Sequence, residues 1–154
     1  MLKQFILKSY NMPKQDIAVT TDCVVFYKTS AQNLKILLVQ RKNDPFKNTW
    51  ALPGGFLENE EPLDEGAKRE LKEETGLEIF EVNQIKAFGK PDRDPRGRTI
   101  SIAFWGEVFS EEKVEGSDDA KDAKWFELES LPELAFDHKQ IIEFAVKVYN
   151  SEKS

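Results

Sequence analysis

The side chains best able to do chemistry are the carboxylates of the segment 58–74, which carries eight acidic and three basic residues in seventeen positions. Such a segment can be a solvated, salt-bridged surface helix. Projection at about 100° per residue, however, places Glu70 and Glu74 at the edge of or within the apolar stripe, with Glu73 just beyond Glu70. Carboxylates turned toward the protein repel one another, and a hard divalent cation with oxygen ligands resolves the conflict. The projection alone leaves both interpretations open.

The composition restricts this chemistry further. One cysteine, Cys23, and one histidine, His138, cannot build a zinc site of cysteine and histidine ligands, so any metal must bind to carboxylates. The net charge of −6 argues against a general nucleic-acid or membrane-surface binder. The apolar runs are too short to cross a bilayer, and the N-terminus shows no signal-peptide pattern. We therefore expect a cytoplasmic protein, with Cys23 in the core and His138 on the surface.

The elements that must position the carboxylates follow from hydrophobic periodicity and turn residues. A helix that begins at Pro62 and runs to Thr75, with Gly76 as its left-handed cap, carries them. A closing amphipathic helix follows Asp137. Strands are predicted at 17–27 and 34–40, which form a hairpin, and then at 50–56, 78–88, 99–109 and 125–128. Strands clustered around two helices predict one α+β or mixed-sheet α/β domain over residues 1–154.

Residues 55–77 also form a spaced pattern: Gly55, five residues, Glu61, seven residues, and then Arg69-Glu70-Leu71-Lys72-Glu73-Glu74-Thr75-Gly76-Leu77. This pattern resembles the signature of the Nudix hydrolase family, the Nudix box, at every defined position, and the resemblance extends over residues 17–149. It implies the Nudix fold, a mixed β-sheet sandwiched between helices in which the box forms a loop–helix–loop. The implied reaction is attack of a metal-bound water on a nucleoside diphosphate linked to another moiety.

The resemblance also implies roles for the residues of the box. The implied metal is Mg²⁺, with Mn²⁺ as a substitute. Its implied ligands are Glu70, Glu73 and Glu74, a backbone carbonyl of Gly54 or Gly55, and Glu61, which either joins the metal shell through water or braces the loop and helix. Arg69 resembles the arginine whose planar fork orients the glutamates. The implied catalytic residues are Arg69, Glu70 and Glu74.

The resemblance does not decide which carboxylate is the general base. Relatives use either a glutamate of the box, here Glu70, or a carboxylate from a loop. The loop before Trp125 offers Glu115, Asp118 and Asp119. We expect Glu70, because a rigid helix positions a carboxylate better than a loop does.

A locally basic loop, residues 88–98, indicates the substrate. Its arginines Arg93, Arg96 and Arg98, with Arg41 at the end of a strand, are the expected substrate-binding residues, although an exposed hairpin loop and a plain surface charge at Arg41 are open alternatives. Arg-Asp-Pro-Arg-Gly-Arg ahead of Ser-Ile-Ala-Phe resembles the ADP-ribose pyrophosphatase branch of the family, which implies hydrolysis of ADP-ribose to AMP and ribose 5-phosphate. The alternatives are a housecleaning nucleoside triphosphate pyrophosphohydrolase and a non-catalytic ADP-ribose-binding regulatory module.

The expected partner is a small-molecule nucleotide substrate, with no nucleic acid and no membrane. Because ADP-ribose-cleaving relatives commonly pair subunits through strands near the N-terminus, the resemblance also implies a homodimer. Residues 1–16 are apolar enough to pack against a second subunit, or they form a frayed terminal arm.

Overall fold

A computed structural model describes residues 10–154 of the chain. Within them the chain forms seven strands and two helices. The strands are β1 (Ala18–Lys28), β2 (Leu34–Arg41), β3 (Trp50–Ala51), β4 (Gly54–Phe56), β5 (Asn83–Phe88), β6 (Thr99–Val108) and β7 (Ala120–Glu127). The helices are α1 (Leu63–Thr75) and α2 (His138–Lys153), and a short 3₁₀ turn spans Leu128–Ser130.

The seven strands belong to one mixed sheet in which β1 is central. β1 lies parallel to β6, from the pair Ala18 and Thr99 to the pair Tyr27 and Val108. Its other edge is shared, because its end pairs antiparallel with β2 and its beginning pairs antiparallel with β4. β2 also pairs with β7 and β3, and β5 pairs with β6. The short strand β4 therefore brings the glycines that precede α1 against the central strand.

Side chains alternate along β1, so successive residues point to opposite faces of the sheet. Each face is covered by one helix. Cys23 and Val25 pack with the apolar stripe of α1, whereas Val24 and Phe26 pack with the apolar face of α2. The predicted fold, a mixed sheet sandwiched between helices, is confirmed. The predicted hairpin of β1 and β2 is present, and Cys23 is fully buried as expected.

Two strands differ in length from the prediction. β5 begins at Asn83 rather than at residue 78, because Leu77, Ile79 and Val82 pack into the core beneath α1. β7 begins at Ala120, well before the predicted 125–128, because it pairs with β2 along its whole length. The loop that carries the candidate loop bases therefore leads directly into a strand.

The ends of α1 lie close to the predicted ones. Pro62 is the N-cap and Leu63 the first helical residue, one position later than predicted. Gly76 ends the helix with a φ of 77°, a left-handed conformation that favours glycine because it has no Cβ. The carboxylates of the box are therefore presented by a helix whose length is fixed at both ends.

The predicted dimerisation arm is the segment 1–16. Most of it lies outside the described residues, which begin at Tyr10. Residues 10–17 form neither helix nor strand, and their side chains are exposed. Within residues 10–154, no helix combines the length and apolar character that a membrane span requires.

Candidate active site

A cavity of about 360 Å³ lies beside β4 and α1, a volume suited to a small molecule. Its lining brings together most of the predicted site residues: Arg41, Gly54, Gly55, Arg69, Glu70, Glu74, Arg93, Arg96, Asp118 and Asp119. Four predicted residues lie outside the lining: Glu61, Glu73, Arg98 and Glu115. We call four carboxylates of the lining the acidic cluster: Glu70, Glu74, Asp118 and Asp119.

Glu74 is the most enclosed member of the acidic cluster. It lies in the last turn of α1 with 7% of its surface exposed. Its Oε1 accepts a hydrogen bond of 2.7 Å from the backbone N–H of Gly54. Burial raises the pKa of Glu74 well above its ordinary value, and the negative charges of Glu70, Asp22 and Asp119 raise it further. The carboxylate of Glu74 therefore lacks both solvation and compensating positive charge.

Glu70 has an environment similar to that of Glu74, although it has a cationic partner. Burial raises the pKa of Glu70 even though Arg69 donates a hydrogen bond to it. A Cβ at Gly55 would lie 2.6 Å from the Glu70 carboxyl carbon, so only glycine lets the strand approach this carboxylate so closely. The close approach of β4 to α1 encloses both glutamates.

Arg69 connects three glutamates of the box. Its Nε and Nη2 donate to the two oxygens of Glu61 at 2.8 and 2.7 Å. Its Nη1 donates to Glu70 at 2.9 Å and to Glu73 at 3.1 Å. These bonds, first among them the pair with Glu61, raise the pKa of Arg69. The guanidinium of Arg69 therefore fixes the orientation of three carboxylates at once.

Glu61 and Glu73 lie outside the cavity, and both accept hydrogen bonds from Arg69. Oε1 of Glu61 also accepts a 2.9 Å hydrogen bond from the backbone N–H of Glu58, which gives Glu61 the bracing position rather than a ligand position. The side chain of Glu73 is 43% exposed. Among residues 10–154, no three or more His, Cys, Asp or Glu side chains are arranged to hold a metal ion. The predicted set of Glu70, Glu73 and Glu74 is therefore not assembled in this conformation.

The loop before β7 separates the three candidate loop bases. The backbone N–H groups of Glu115 and Ser117 donate to the carbonyls of Thr75 and Glu74, at 3.1 and 3.0 Å, and so satisfy the C-terminal end of α1. This attachment brings Asp118 and Asp119 to the cavity. Glu115 is exposed and lies outside the lining, which corrects its inclusion among the candidate bases.

The oxygen donors at the cavity fit a hard divalent cation. Glu70 and Glu74 offer carboxylate oxygens, and Gly54 and Gly55 line the same cavity. Mg²⁺ and Mn²⁺ prefer such oxygen ligands. Because burial and neighbouring carboxylates raise the pKa of both glutamates, a bound cation would stabilise their charged forms.

Two arginines of the lining, Arg41 and Arg96, form what we call the arginine pair. Their guanidinium carbons lie 4.9 and 5.5 Å from the ring centre of Phe136, and Arg96 also lies 5.1 Å from the ring centre of Phe56. Burial lowers the pKa of Arg41, and the like charge of Arg96 lowers it further. Two stacked, mutually repelling cations make this part of the cavity a site for an anion.

The members of the arginine pair differ in how their charge is balanced. Nε and Nη2 of Arg96 donate to the carboxylate of Asp94 at 3.1 and 2.8 Å. Arg41 donates through Nε to the carbonyl of Pro45 at 2.7 Å. Within the described part of the chain, Arg41 forms no ion pair with a carboxylate, so it offers the less neutralised charge to a ligand.

Arg93 and Arg98, which were expected to bind substrate, have partners within the fold. Arg93 borders the cavity, but its buried guanidinium donates to both oxygens of Asp137, at 3.0 and 2.6 Å. Arg98 lies outside the cavity and donates through Nη1 to the carbonyl of Gly89. Arg93 thus ties the loop to the start of α2, and Arg98 closes the loop at its base.

Asp22 and His138 are residues of the lining that the sequence did not identify as part of the site. Their exposed fractions are 6% and 3%, so His138 is buried rather than on the surface as expected. Asp22 could have been found, because it is a charged residue directly before the apolar run 23–26 of strand β1. Nothing in the sequence around His138 indicates its burial.

Comparisons with known proteins agree with this site. A family model described as NUDIX domain matches residues 17–144. An ADP-ribose pyrophosphatase of Methanocaldococcus jannaschii is 44% identical over 142 residues, which cover 92% of this chain and 80% of that protein. An ADPR responsive transcriptional repressor, NtrR, of Acinetobacter baylyi is 32% identical over 154 residues. The match covers 97% of this chain and 60% of the repressor.

A solved structure extends the comparison to three dimensions. The NUDIX domain of Shewanella oneidensis NrtR, crystallised in complex with ADP ribose, is similar to this chain with a TM-score of 0.85 and 32% identity. The similarity covers 97% of this chain and 99% of that domain. Because the family model matches most of the residues and the similarity extends over both sequence and fold, the chain belongs to the Nudix hydrolase family.

Proposed function

We propose that the chain hydrolyses ADP-ribose to AMP and ribose 5-phosphate in a reaction that depends on a divalent metal. Hydrolases of this family generally use such a metal. The observation that carries the proposal is one cavity in which two enclosed glutamates, Glu70 and Glu74, lie with the arginine pair. A cavity with both features can bind a metal ion and a diphosphate together. The similarity to an ADP-ribose pyrophosphatase and to an ADP-ribose-bound domain supports this substrate.

The proposed metal is Mg²⁺, with Mn²⁺ as a substitute. Glu70 and Glu74 would hold it together with the carbonyl of Gly54 or Gly55. Glu73 would join them by giving up its 3.1 Å hydrogen bond with Arg69. When bound, the metal neutralises the diphosphate and lowers the pKa of a water molecule.

Glu70 is the proposed general base. Arg69 donates to its Oε1, and this bond orients the carboxyl group while Oε2 accepts the proton of the attacking water. Asp118 and Asp119 are the alternatives, because both line the same cavity from the loop before β7. Their loop is attached to the C-terminal end of α1, which gives it more order than the sequence alone predicts.

The arginine pair is the proposed diphosphate site. The guanidinium groups of Arg41 and Arg96 are stacked on Phe136, so they are ordered before substrate binds. An ordered guanidinium loses less conformational entropy on binding phosphate than a free one does. Charge-assisted hydrogen bonds to phosphate oxygens would hold the substrate with its phosphorus atoms near the metal.

The test is product analysis by chromatography after incubation with ADP-ribose or with a panel of nucleoside triphosphates, with and without Mg²⁺. We expect AMP and ribose 5-phosphate from ADP-ribose in the presence of Mg²⁺, and slow turnover of the triphosphates. Rapid release of pyrophosphate from a triphosphate, with no AMP from ADP-ribose, would instead favour a housecleaning enzyme. Tight binding of ADP-ribose without any product would favour a regulatory binding module.

The remaining proposals concern the setting of the reaction. We propose a homodimer that includes the segment 1–16, which light scattering would test: a mass near 17.7 kDa at micromolar protein would exclude it. A cytoplasmic location is proposed because the single cysteine, Cys23, is buried and unpaired.

A further inference from the structure

A buried polar network connects α2 with β1 and β6 beside the active site. Nδ1 of His138 accepts a 3.0 Å hydrogen bond from the backbone N–H of Leu52. Nε2 of the same ring lies 3.6 Å from Oδ1 of Asp22. The other carboxylate oxygen, Oδ2, accepts a hydrogen bond from the hydroxyl of Ser101. All of these groups are buried, so their alignment is determined by the protein rather than by solvent.

The hydrogen bond to Leu52 determines the form of the imidazole. A ring nitrogen that accepts a hydrogen bond carries no proton, so the neutral ring of His138 has its proton on Nε2 and directs it toward Asp22. Burial lowers the pKa of His138, which favours this neutral form. In this form the Nε2–H of His138 faces the carboxylate of Asp22, and the unprotonated Nδ1 faces the backbone N–H of Leu52.

Leu52 and Pro53 connect β3 to β4, and Gly54 is the first residue of β4. We call these three residues the bend 52–54, and each of them is hydrogen-bonded to a different element. Leu52 donates its N–H to His138, the first residue of α2. The carbonyl of Pro53 accepts a 3.0 Å hydrogen bond from Cys23 of β1. Gly54 donates its N–H to Glu74 of α1 at 2.7 Å. Pro53 alone separates the Leu52 amide from the Gly54 amide, so a displacement of the Leu52 amide would be transmitted to the peptide group that Pro53 and Gly54 share.

We propose that His138 is a positioning residue for hydrolysis, because its imidazole fixes the bend 52–54 and thereby the amide that holds the carboxylate of Glu74. Its role in turnover rests on the proposed function of the cavity. His138 acts through Leu52 and Gly54 and has no contact with the reacting atoms in this account. Asp22, whose carboxylate accepts a hydrogen bond from Ser101, lies 3.6 Å from Nε2 and favours this orientation of the ring electrostatically.

Two substitutions at His138 separate positioning from packing. His138→Leu keeps an apolar volume but removes the acceptor, and its kcat for ADP-ribose should fall on the order of 10²-fold with an unchanged KM. His138→Asn places an amide oxygen near the position of Nδ1, and most of the lost kcat should return. Equal kcat in the wild type and the Leu variant would overturn the proposal, as would an Asn variant as slow as the Leu variant.

A substrate-free measurement keeps the proposal testable even if the Leu variant does not fold or the wild type does not cleave ADP-ribose. The chain has one histidine, so its ring nitrogens give unique ¹⁵N NMR signals. We expect the wild-type ring to be neutral with its proton on Nε2, and the Gly54 amide to exchange with solvent faster in His138→Leu, which loses the acceptor, than in the wild type or in His138→Asn, which keeps one. A proton on Nδ1, or unchanged Gly54 exchange when the acceptor is lost, would refute the positioning role. A wild type with the expected NMR signals but no hydrolysis would refute only the proposed function.

Discussion

The acidic cluster and the arginine pair hold their charges in opposite ways. Glu74 is buried and has one backbone hydrogen bond, from Gly54, while its carboxylate neighbours raise its pKa. Arg96 is already paired with Asp94 and stacked on two aromatic rings, and Arg41 is stacked and bonded to a carbonyl. The charged form of the acidic cluster is therefore destabilised by repulsion among its own carboxylates. The arginine pair, in contrast, is ordered before any ligand binds.

This difference assigns different tasks to the two regions. Carboxylates that repel one another gain most from a cation, and the reaction depends on that cation, so changes in the acidic cluster should affect turnover. Stacked guanidiniums contribute a preformed site for phosphate, so changes in the arginine pair should affect substrate binding. The predictions that follow test this division.

The largest effect is expected for Glu74→Gln. Gln keeps the size of the side chain but removes a hard anionic ligand, so kcat should fall by orders of magnitude while the fold persists. Steady-state kinetics with saturating Mg²⁺ measure this, with Glu65→Gln on the exposed face of α1 as the matched control. Near-full Mg²⁺-dependent activity of Glu74→Gln would show that Glu74 is not a metal ligand.

A smaller but still large loss is expected for Glu70→Gln, because general-base assistance contributes about 10²–10⁴-fold in rate. Loss of a ligand can cost as much, so the pH–rate profile is the informative measurement. Because burial raises the pKa of Glu70, activity should decline as the pH falls through a value above that of a free glutamate, and the Gln variant should lose this acidic limb. If Glu70→Gln keeps the limb while Asp118→Asn or Asp119→Asn loses it, the base lies in the loop.

Arg93→Met should affect stability rather than binding. The substitution leaves the buried carboxylate of Asp137 without its partner, which costs about 3–5 kcal/mol in the free energy of unfolding. Urea denaturation of the variant and the wild type measures this cost. An unchanged midpoint together with a raised KM for ADP-ribose would mean that Arg93 serves the substrate after all.

The smallest effect is expected in the arginine pair. Arg41→Ala removes charge-assisted hydrogen bonds to phosphate, so KM for ADP-ribose should rise by roughly 10- to 100-fold with little change in kcat. Arg98→Ala is the matched control, because Arg98 bonds to the carbonyl of Gly89 outside the cavity. Equal rises in KM for both variants would contradict the assignment of the arginine pair.

The helix and its carboxylates could be predicted because helical periodicity determines which side chains face the core. Glu70 and Glu74 lie at the edge of the apolar stripe in the sequence and border the cavity in the structure. The helical projection does not place Glu73 outside the cavity, although Arg69 lies four positions earlier at the spacing of a helical ion pair, because the same guanidinium also bonds to Glu61 and Glu70. Local spacing predicts faces but not which of several partners a long side chain selects.

The loops and the buried network could not be predicted, because their partners are distant in sequence. Arg93 bonds to Asp137, 44 positions away, and Leu52 bonds to His138, 86 positions away. The basic loop considered without these partners indicates three free arginines, whereas in the folded chain each of the three has a hydrogen-bonded partner. Prediction of such a site requires the tertiary contacts themselves.

The division of tasks is tested most directly by calorimetric titration of Mn²⁺ into the nucleotide-free protein. The wild type and Arg41→Ala should bind the metal with similar affinity, because Arg41 is not among the proposed ligands. Glu74→Gln should lose most of that affinity. Unchanged Mn²⁺ binding by Glu74→Gln, or a loss of binding by Arg41→Ala as large as that by Glu74→Gln, would contradict the assignment of metal binding to the acidic cluster and of substrate binding to the arginine pair.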